Sequence, residues 1–266
     1  MSLTLYHSVE STCAQKVRFV LSKKGLDWVE HRLNLRKGEQ FDEDYLKLNP
    51  KAVVPTLVHD GKAVRESSVI AEYIDDVFPD PPLRPADPHE RAQMRLVMKA
   101  FDEEMHPGIG ILSYAIFLRH QMNKLKTPEE LKVHFARMTD PARRDRQQST
   151  HELGLKSPSA LTGMLLVRNV VALVDKCLAT GDWLAGDEVS LADCSAIPYM
   201  VRTHALGLDV TWESYPRVSE WMSRAIGFVN DLPLSDPWGS DGFRQMLTGC
   251  VASEAIDIQR LLDETA

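Results

Sequence analysis

Two short stretches carry residue types that suit binding as well as packing. Ala52-Val53-Val54-Pro55-Thr56-Leu57-Val58 places a proline at the head of a β-branched run, and Arg65-Glu66-Ser67-Ser68-Val69-Ile70 places an acid and a hydroxyl at the opening of an amphipathic helical pattern. Proline has no N–H to give to a sheet ladder, so it belongs at the first residue of a strand or on an edge. With a cis Val54-Pro55 bond, the Val54 backbone would turn outward, where an extended peptide can pair with it. Glu66 and Ser67 stand where a helix N-terminus gathers free N–H groups, a natural seat for a carboxylate. Together these residues describe a pocket for a small acidic peptide, and glutathione is the obvious candidate.

The elements that must position them can be read along the chain. Leu3-Thr4-Leu5-Tyr6-His7 alternates as a strand, and Lys16 to Leu21 follows helical spacing up to the stop signal Lys23-Lys24-Gly25. Trp28 to Leu33 reads as a second strand, reached through that helix and therefore parallel to the first. Phe41 to Leu48 is a short helical turn closed by Asn49-Pro50; the Pro55 strand, a strand at Lys62 to Arg65 and a helix from Ser67 to Val77 follow. Residues 1–78 therefore read as βαβ followed by ββα, a thioredoxin-like arrangement.

Prolines at 79, 81, 82, 85 and 88 forbid regular structure and mark residues 79–88 as a linker. Beyond it, residues 89–266 read as all-α. Helical patterns cover His89 to Met105, Ile109 to Leu125, Leu161 to Ala179, Trp212 to Ile226 and Asp241 to Leu262. Thr127-Pro128-Glu129-Glu130 and Ser190-Leu191-Ala192-Asp193 are helix-opening capping boxes. Asp140 to Ser159 is polar and poorly periodic, and reads as an inserted loop or frayed helix. The fold class is thus α/β plus all-α.

The composition is that of an ordinary globular chain: 266 residues, 44% hydrophobic and 26% charged. A net charge of −7 argues against a nucleic-acid or anionic-membrane surface. No apolar run approaches the ~20 residues that span a bilayer. Cys13, Cys177, Cys194 and Cys250 are scattered without ligand or CxxC spacing, which fits a reduced compartment. Met-Ser-Leu-Thr-Leu-Tyr enters a strand without a basic or apolar leader, so the expected location is cytoplasmic. The nine histidines show no metal-ligand pattern, and no metal is expected. Gly108-Ile109-Gly110 follows no strand and is not a dinucleotide fingerprint, while Arg143-Arg144-Asp145-Arg146 reads as solvated surface.

The order of parts resembles the cytosolic glutathione transferases: a thioredoxin-like domain, a proline-rich linker and an all-helical domain. Val54-Pro55-Thr56-Leu57, Glu66-Ser67, Asn49-Pro50 and Ser190-Leu191-Ala192-Asp193 carry the likeness. Within that family, Ile70 to Pro79 and Leu83 to Pro88 are similar to bacterial lignin β-etherases, as is the helix through Arg91-Ala92-Gln93-Met94-Arg95. These are scaffold segments and speak to ancestry more than to substrate.

The resemblance implies a set of roles. Ser11 stands where the family places the hydroxyl that stabilises the glutathione thiolate, with Thr12 beside it as a second catalytic candidate. A thiol near pKa 8.5 is only a few per cent ionised at neutral pH, and lowering that pKa by ~2 units takes about 2.7 kcal/mol. One hydroxyl hydrogen bond and the positive end of a helix are enough to supply it. Ser11 and Thr12 also serve as ordinary helix caps. Cys13 sits in the first helical turn, two residues past the position where omega-type relatives carry a reactive cysteine, and small buried cysteines are more often inert. Tyr6 reads as a packing residue inside its strand. Glu66 would accept from the γ-glutamyl ammonium, Ser67 would donate to its carboxylate, and Val54 with Pro55 would pair the peptide backbone. Gln40 and Lys51 are the candidates for the glycine end, while Ala52 replaces a histidine of some relatives.

Met105, Ile109, Tyr114 and Phe117, with His106 and His120 as polar points, are the candidates for a second-substrate wall. The expected function is that of a homodimeric glutathione transferase, delivering the thiol to a small apolar or aromatic electrophile, with cleavage of a β-aryl ether as the narrower form. A non-catalytic interaction module and a glutathione-dependent oxidoreductase or isomerase are the alternatives.

Overall fold

A computed structural model describes residues 2–212 and 214–265; Met1, Glu213 and Ala266, which fall within the expected terminal domains and the Trp212 to Ile226 helix, lie outside the described residues. Strand β1 (Leu3–His7) buries alternate residues, as its pattern requires. The chain then runs through α1 (Thr12–Lys23), β2 (Val29–Arg32), α2 (Glu43–Leu48), β3 (Thr56–His59), β4 (Lys62–Arg65) and α3 (Ser67–Val77). The sheet order is β2-β1-β3-β4. β1 and β2 are parallel across the α1 crossover, while β1 pairs antiparallel with β3 in a register that sets Leu5 opposite Leu57. The βαβ–ββα reading of the sequence is the observed topology.

The proline-rich segment is fastened on both sides. Asp75 of α3 accepts from the Leu83 N–H at 3.0 Å and pairs with Arg84 at 2.9 Å and with the buried Lys24. Leu83 in turn accepts from the Leu191 N–H at 2.7 Å.

The helical half departs from the sequence reading in two places. Instead of separate helices at 89–105 and 109–125, one unbroken helix runs through α4 (Pro88–Ala100), α5 (His106–Ser113) and α6 (Arg119–Leu125). Widened π-turns at Phe101–Met105 and Tyr114–Leu118 join its three parts. The first turn lies just ahead of Pro107, where extra width relieves the ring's clash with the preceding turn. The second departure is the polar insert. After α7 (Pro128–Ala136) comes α8 (Pro141–Leu153), a capped helix in which Asp140 accepts from the N–H groups of Ala142 and Arg143 at 3.0 and 3.2 Å.

α9 (Pro158–Cys177), α10 (Leu191–Ala205), α11 (Pro216–Asn230) and α12 (Asp241–Glu264) complete the chain. Trp212 ends a separate short 3-10 turn, so the helix expected from Trp212 begins at Pro216 instead. Gly108 of α5 lies against Gly163 of α9, and a Cβ at Gly108 would stand 2.8 Å from the Gly163 carbonyl. Gly108 of the Gly-Ile-Gly triplet therefore marks a close helix crossing. One continuous core joins Leu5, Val17 and Leu57 beneath the sheet to Phe101, Ile109, Tyr199 and Trp221 of the helices. The buried Asp193 ties that core together, accepting from Trp221 Nε1 at 2.9 Å and the Leu184 N–H at 3.0 Å while closing the Ser190 cap. Among the described residues no single helix is long and apolar enough to cross a membrane.

Candidate active site

The Val54-Pro55 bond is cis, and local side chains hold the turn that contains it. Asn49 Nδ2 donates to the Val53 carbonyl at 2.9 Å and to Thr56 Oγ1 at 3.1 Å, and the Tyr45 hydroxyl donates to the same carbonyl at 2.6 Å. Across from this turn, Glu66 heads α3 with φ of 67°, a left-handed conformation uncommon for a residue with a side chain. That twist sets Glu66 and Ser67 at the mouth of the turn. Lys51 Nζ pairs with Glu66 Oε1 at 2.7 Å, with both side chains exposed. Gln40, held in a single 3-10 turn, is nearly buried, and its Oε1 has no protein partner.

Ser11, Thr12, Gln40, Lys51, Val54, Pro55, Glu66 and Ser67 all line one cavity of about 1050 Å³. Ser11 caps α1, its Oγ accepting from the Ala14 N–H at 3.3 Å. An accepting hydroxyl still has its own hydrogen to donate, so capping and thiolate stabilisation are compatible at this residue.

One turn into α1 the cavity holds a group of residues that local sequence reading does not assemble. Cys13 Sγ lies 3.2 Å from the Tyr199 hydroxyl and 3.5 Å from His106 Nδ1, and those two partners are 3.1 Å apart. Lys16 Nζ sits 5.3 Å from the Tyr199 ring centre and is paired with Asp102 at 2.6 Å. Burial alone would raise the Cys13 thiol. The His106 charge and hydrogen bond, Lys16 and the Tyr199 hydroxyl outweigh it and bring the thiol down to about 6. Reciprocally, the Cys13 thiolate raises His106 against the opposing effect of burial. Burial and the same thiolate push Tyr199 well above the usual phenol range, keeping it a protonated donor.

The far wall is apolar and comes from the helices: Ile109, Tyr114, Phe117, Leu118, Met122 and Phe243. Arg202 closes one corner, stacking between Phe117 and Phe243 and donating to the Glu10 carbonyl at 2.9 Å. Two of the expected wall residues change here. Met105 is fully buried in the core, and His120 turns away to pair with Glu254 at 2.7 Å, so neither lines the cavity. The insert helix and its cap bring Asp140, Arg143 and Gln147 to the cavity, so Arg143, exposed as its charged run implies, also gives the wall a charge. Tyr6 stacks on His31 at 4.5 Å, which bears out its packing role. Tyr199 had no sequence signal at all, being one aromatic in a uniformly buried helix. No cluster of His, Cys, Asp or Glu among the described residues is arranged to hold a metal.

Residues 10–77 match the N-terminal domain of glutathione S-transferase, and residues 142–224 match its C-terminal domain. This chain belongs to the glutathione S-transferase family. Members of the family use glutathione as co-substrate. The chain is 32% identical to Protein LigF of Sphingobium sp., over 73% of this chain and 76% of that protein. It is 37% identical to the maleylacetoacetate isomerase of Rattus norvegicus, over 88% and 91% of the two chains. With Glutathione S-transferase Z1 of Arabidopsis thaliana the identity is 39%, but the match spans only 52% of that protein, about half its length. Among solved structures, the β-etherase LigF of Sphingobium sp. strain SYK-6 superposes with a TM-score of 0.76 at 28% identity, covering 88% of this chain and 96% of the other.

Proposed function

We propose that this glutathione S-transferase family member is an enzyme that activates the glutathione thiol and delivers it to an apolar, aromatic electrophile. The observation that carries the reading is a single cavity shared by two sets of residues: the turn and helix-end residues suited to an acidic peptide, and an aromatic wall formed by the helices. In this reading Glu66 and Ser67 hold the γ-glutamyl end, the Val54-Pro55 turn pairs the backbone, and Gln40 receives the glycine end together with Lys51, which leaves its pairing with Glu66 as the peptide enters. Ser11 donates to the thiolate, and Thr12 is its neighbour in the same helix end. Residues 1–78 serve as the glutathione domain, 79–88 as linker and 89–266 as the substrate domain. The working form we propose is a cytoplasmic homodimer.

The narrower reaction is cleavage of a β-aryl ether, supported by the similarity to LigF. The thiolate attacks the carbon bearing the aryloxy group, a C–S bond forms, and the C–O pair leaves as phenoxide. Phenol ionises near pKa 10, so phenoxide leaves without obligatory acid assistance. Incubation with glutathione and a racemic β-aryl ether should release the phenol, one enantiomer first. Conjugation of chloro-aromatics without phenol release would remove the ether reading and leave the transferase. The similarity to the rat isomerase favours a second reading, glutathione-dependent cis–trans isomerisation of an unsaturated acid, and Arg143 offers such a substrate a cation. Product formation from a maleyl-type diacid, with glutathione recovered unchanged, would select it.

A further inference from the structure

The helix that carries Ser11 presents a second sulfur to the same cavity. Cys13 is partly exposed, lines the cavity wall, and occupies the first turn of α1, at the positive end of the helix. Three elements bring a hydrogen-bond donor or a cation to its sulfur, His106 from α5, Tyr199 from α10 and Lys16 from α1, while Arg143 of α8 interacts with it through charge alone. Asp102, the acid of this group, is taken up by Lys16.

We propose that Cys13 is a thiol–disulfide exchange site whose substrate is glutathione disulfide, bound in the cavity through one of its two glutathionyl halves. The proposal rests on the reading that the cavity binds glutathione. In the exchange, the Cys13 thiolate forms a bond to one disulfide sulfur and the old S–S bond breaks. The electron pair leaves on the second glutathione as a thiolate, which solvent protonates. Cys13 is oxidised to a mixed disulfide and the departing glutathione is the reduced product. A further glutathione thiolate reverses the step. The bound glutathionyl group then fills the seat of the incoming co-substrate, so the modified protein is inactive as a transferase until it is reduced.

The other cysteines provide an internal control. Burial raises Cys177, Cys194 and Cys250 above the usual thiol range, whereas Cys13 is lowered. Exchange is fastest when the attacking thiol titrates near the ambient pH, which selects Cys13 among the four.

The test uses the full chain with glutathione disulfide at pH 6, followed by intact-mass measurement and peptide mapping. The expected result is one glutathionyl group on Cys13, removed by dithiothreitol, with loss and recovery of transferase turnover in step. His106→Gln and Tyr199→Phe should each slow the modification at pH 6, His106→Gln by about tenfold or more, and move the pH profile of Cys13 alkylation by iodoacetamide upward by about one unit or more for the histidine variant. Calorimetry with reduced glutathione separates binding in the cavity from exchange at Cys13. If glutathione binds and Cys13 stays unmodified, or modification falls on Cys177 or Cys250 instead, the exchange proposal is overturned while the cavity reading stands. If glutathione does not bind at all, both fall.

Discussion

The paired glycines of α5 offer a sharp check on the packing, because they sit two residues apart in one helix and face different surroundings. A methyl at Gly108 would meet the Gly163 carbonyl oxygen at 2.8 Å, with Leu166 Cβ and Val167 Cγ2 at 3.3 Å; a methyl at Gly110 meets nothing within 4 Å and projects toward the cavity. Replacing either glycine by alanine inside a helix gains about 0.5–1 kcal/mol from backbone entropy and propensity. That gain is common to both sites, so the difference between the two variants isolates the clash. The obstructing atom at Gly108 is backbone, which has no rotamer to change, and overpacking of this kind costs about 1–3 kcal/mol. Gly110→Ala should therefore be stabilised and Gly108→Ala should lie about 1–3 kcal/mol below it. At about 2–4 °C per kcal/mol for a chain of this size, the gap in melting temperature is about 2–12 °C. Thermal unfolding of the two variants followed by circular dichroism reads this directly. Equal midpoints, or Gly108→Ala the more stable of the pair, would refute the close α5–α9 crossing as the reason for Gly108.

Glu66→Ala combined with Ser67→Ala should remove two charge-assisted contacts to glutathione, each about 1.5–3 kcal/mol, and an affinity unchanged by calorimetry would reject the γ-glutamyl assignment. Ser11→Ala should raise the pKa of bound glutathione, read by ultraviolet thiolate absorbance, and slow turnover at neutral pH with little change in affinity; an unaltered titration removes Ser11 from that role. Asp193→Asn keeps one acceptor oxygen but turns an amide toward the Ser190 N–H, which Asp193 accepts at 3.0 Å, so the denaturant midpoint should fall by the equivalent of about 2–3 kcal/mol. His7 is fully buried, and burial with the nearby Arg18 lowers it from 6.5 to about 4. The unfolded chain therefore takes up this proton near pH 6.5 while the folded chain waits until about pH 4, so His7 favours folding above that window and loses its contribution as pH falls through it. The loss is roughly 3 kcal/mol, and His7→Gln should flatten the pH dependence of stability between those limits; a slope identical to the unmodified chain counts against it.

Much of this protein was legible from residues close together in the chain. The sheet topology, the turn at Pro55, the opening of α3 at Glu66-Ser67 and the Ser190–Asp193 cap all follow from spacings of a few residues, where backbone geometry and capping chemistry act locally. The Pro55 turn and the Glu66-Ser67 helix end also meet on one cavity once the strand–turn–helix order is fixed. The insert reads only as a loop or frayed helix because, of the thirteen residues of α8, only Thr150 is buried, so the apolar stripe that marks a regular helix is missing. Its Asp140-Pro141 opening is the one local signal it carries.

The sequence by itself determined the family resemblance, the order of the elements and the turn and helix ends that line the cavity. Only the tertiary structure decided which sulfur, imidazole and phenol meet. Cys13 lies 93 residues from His106 and 186 from Tyr199, and their contacts require α1 to pack on α10 with the start of α5 brought beside them. No periodicity encodes such a meeting, because each partner occupies an unremarkable position on its own helix. The low thiol pKa belongs to their separation in space, since charge and hydrogen bonding act over a few ångströms and are indifferent to the length of chain between them.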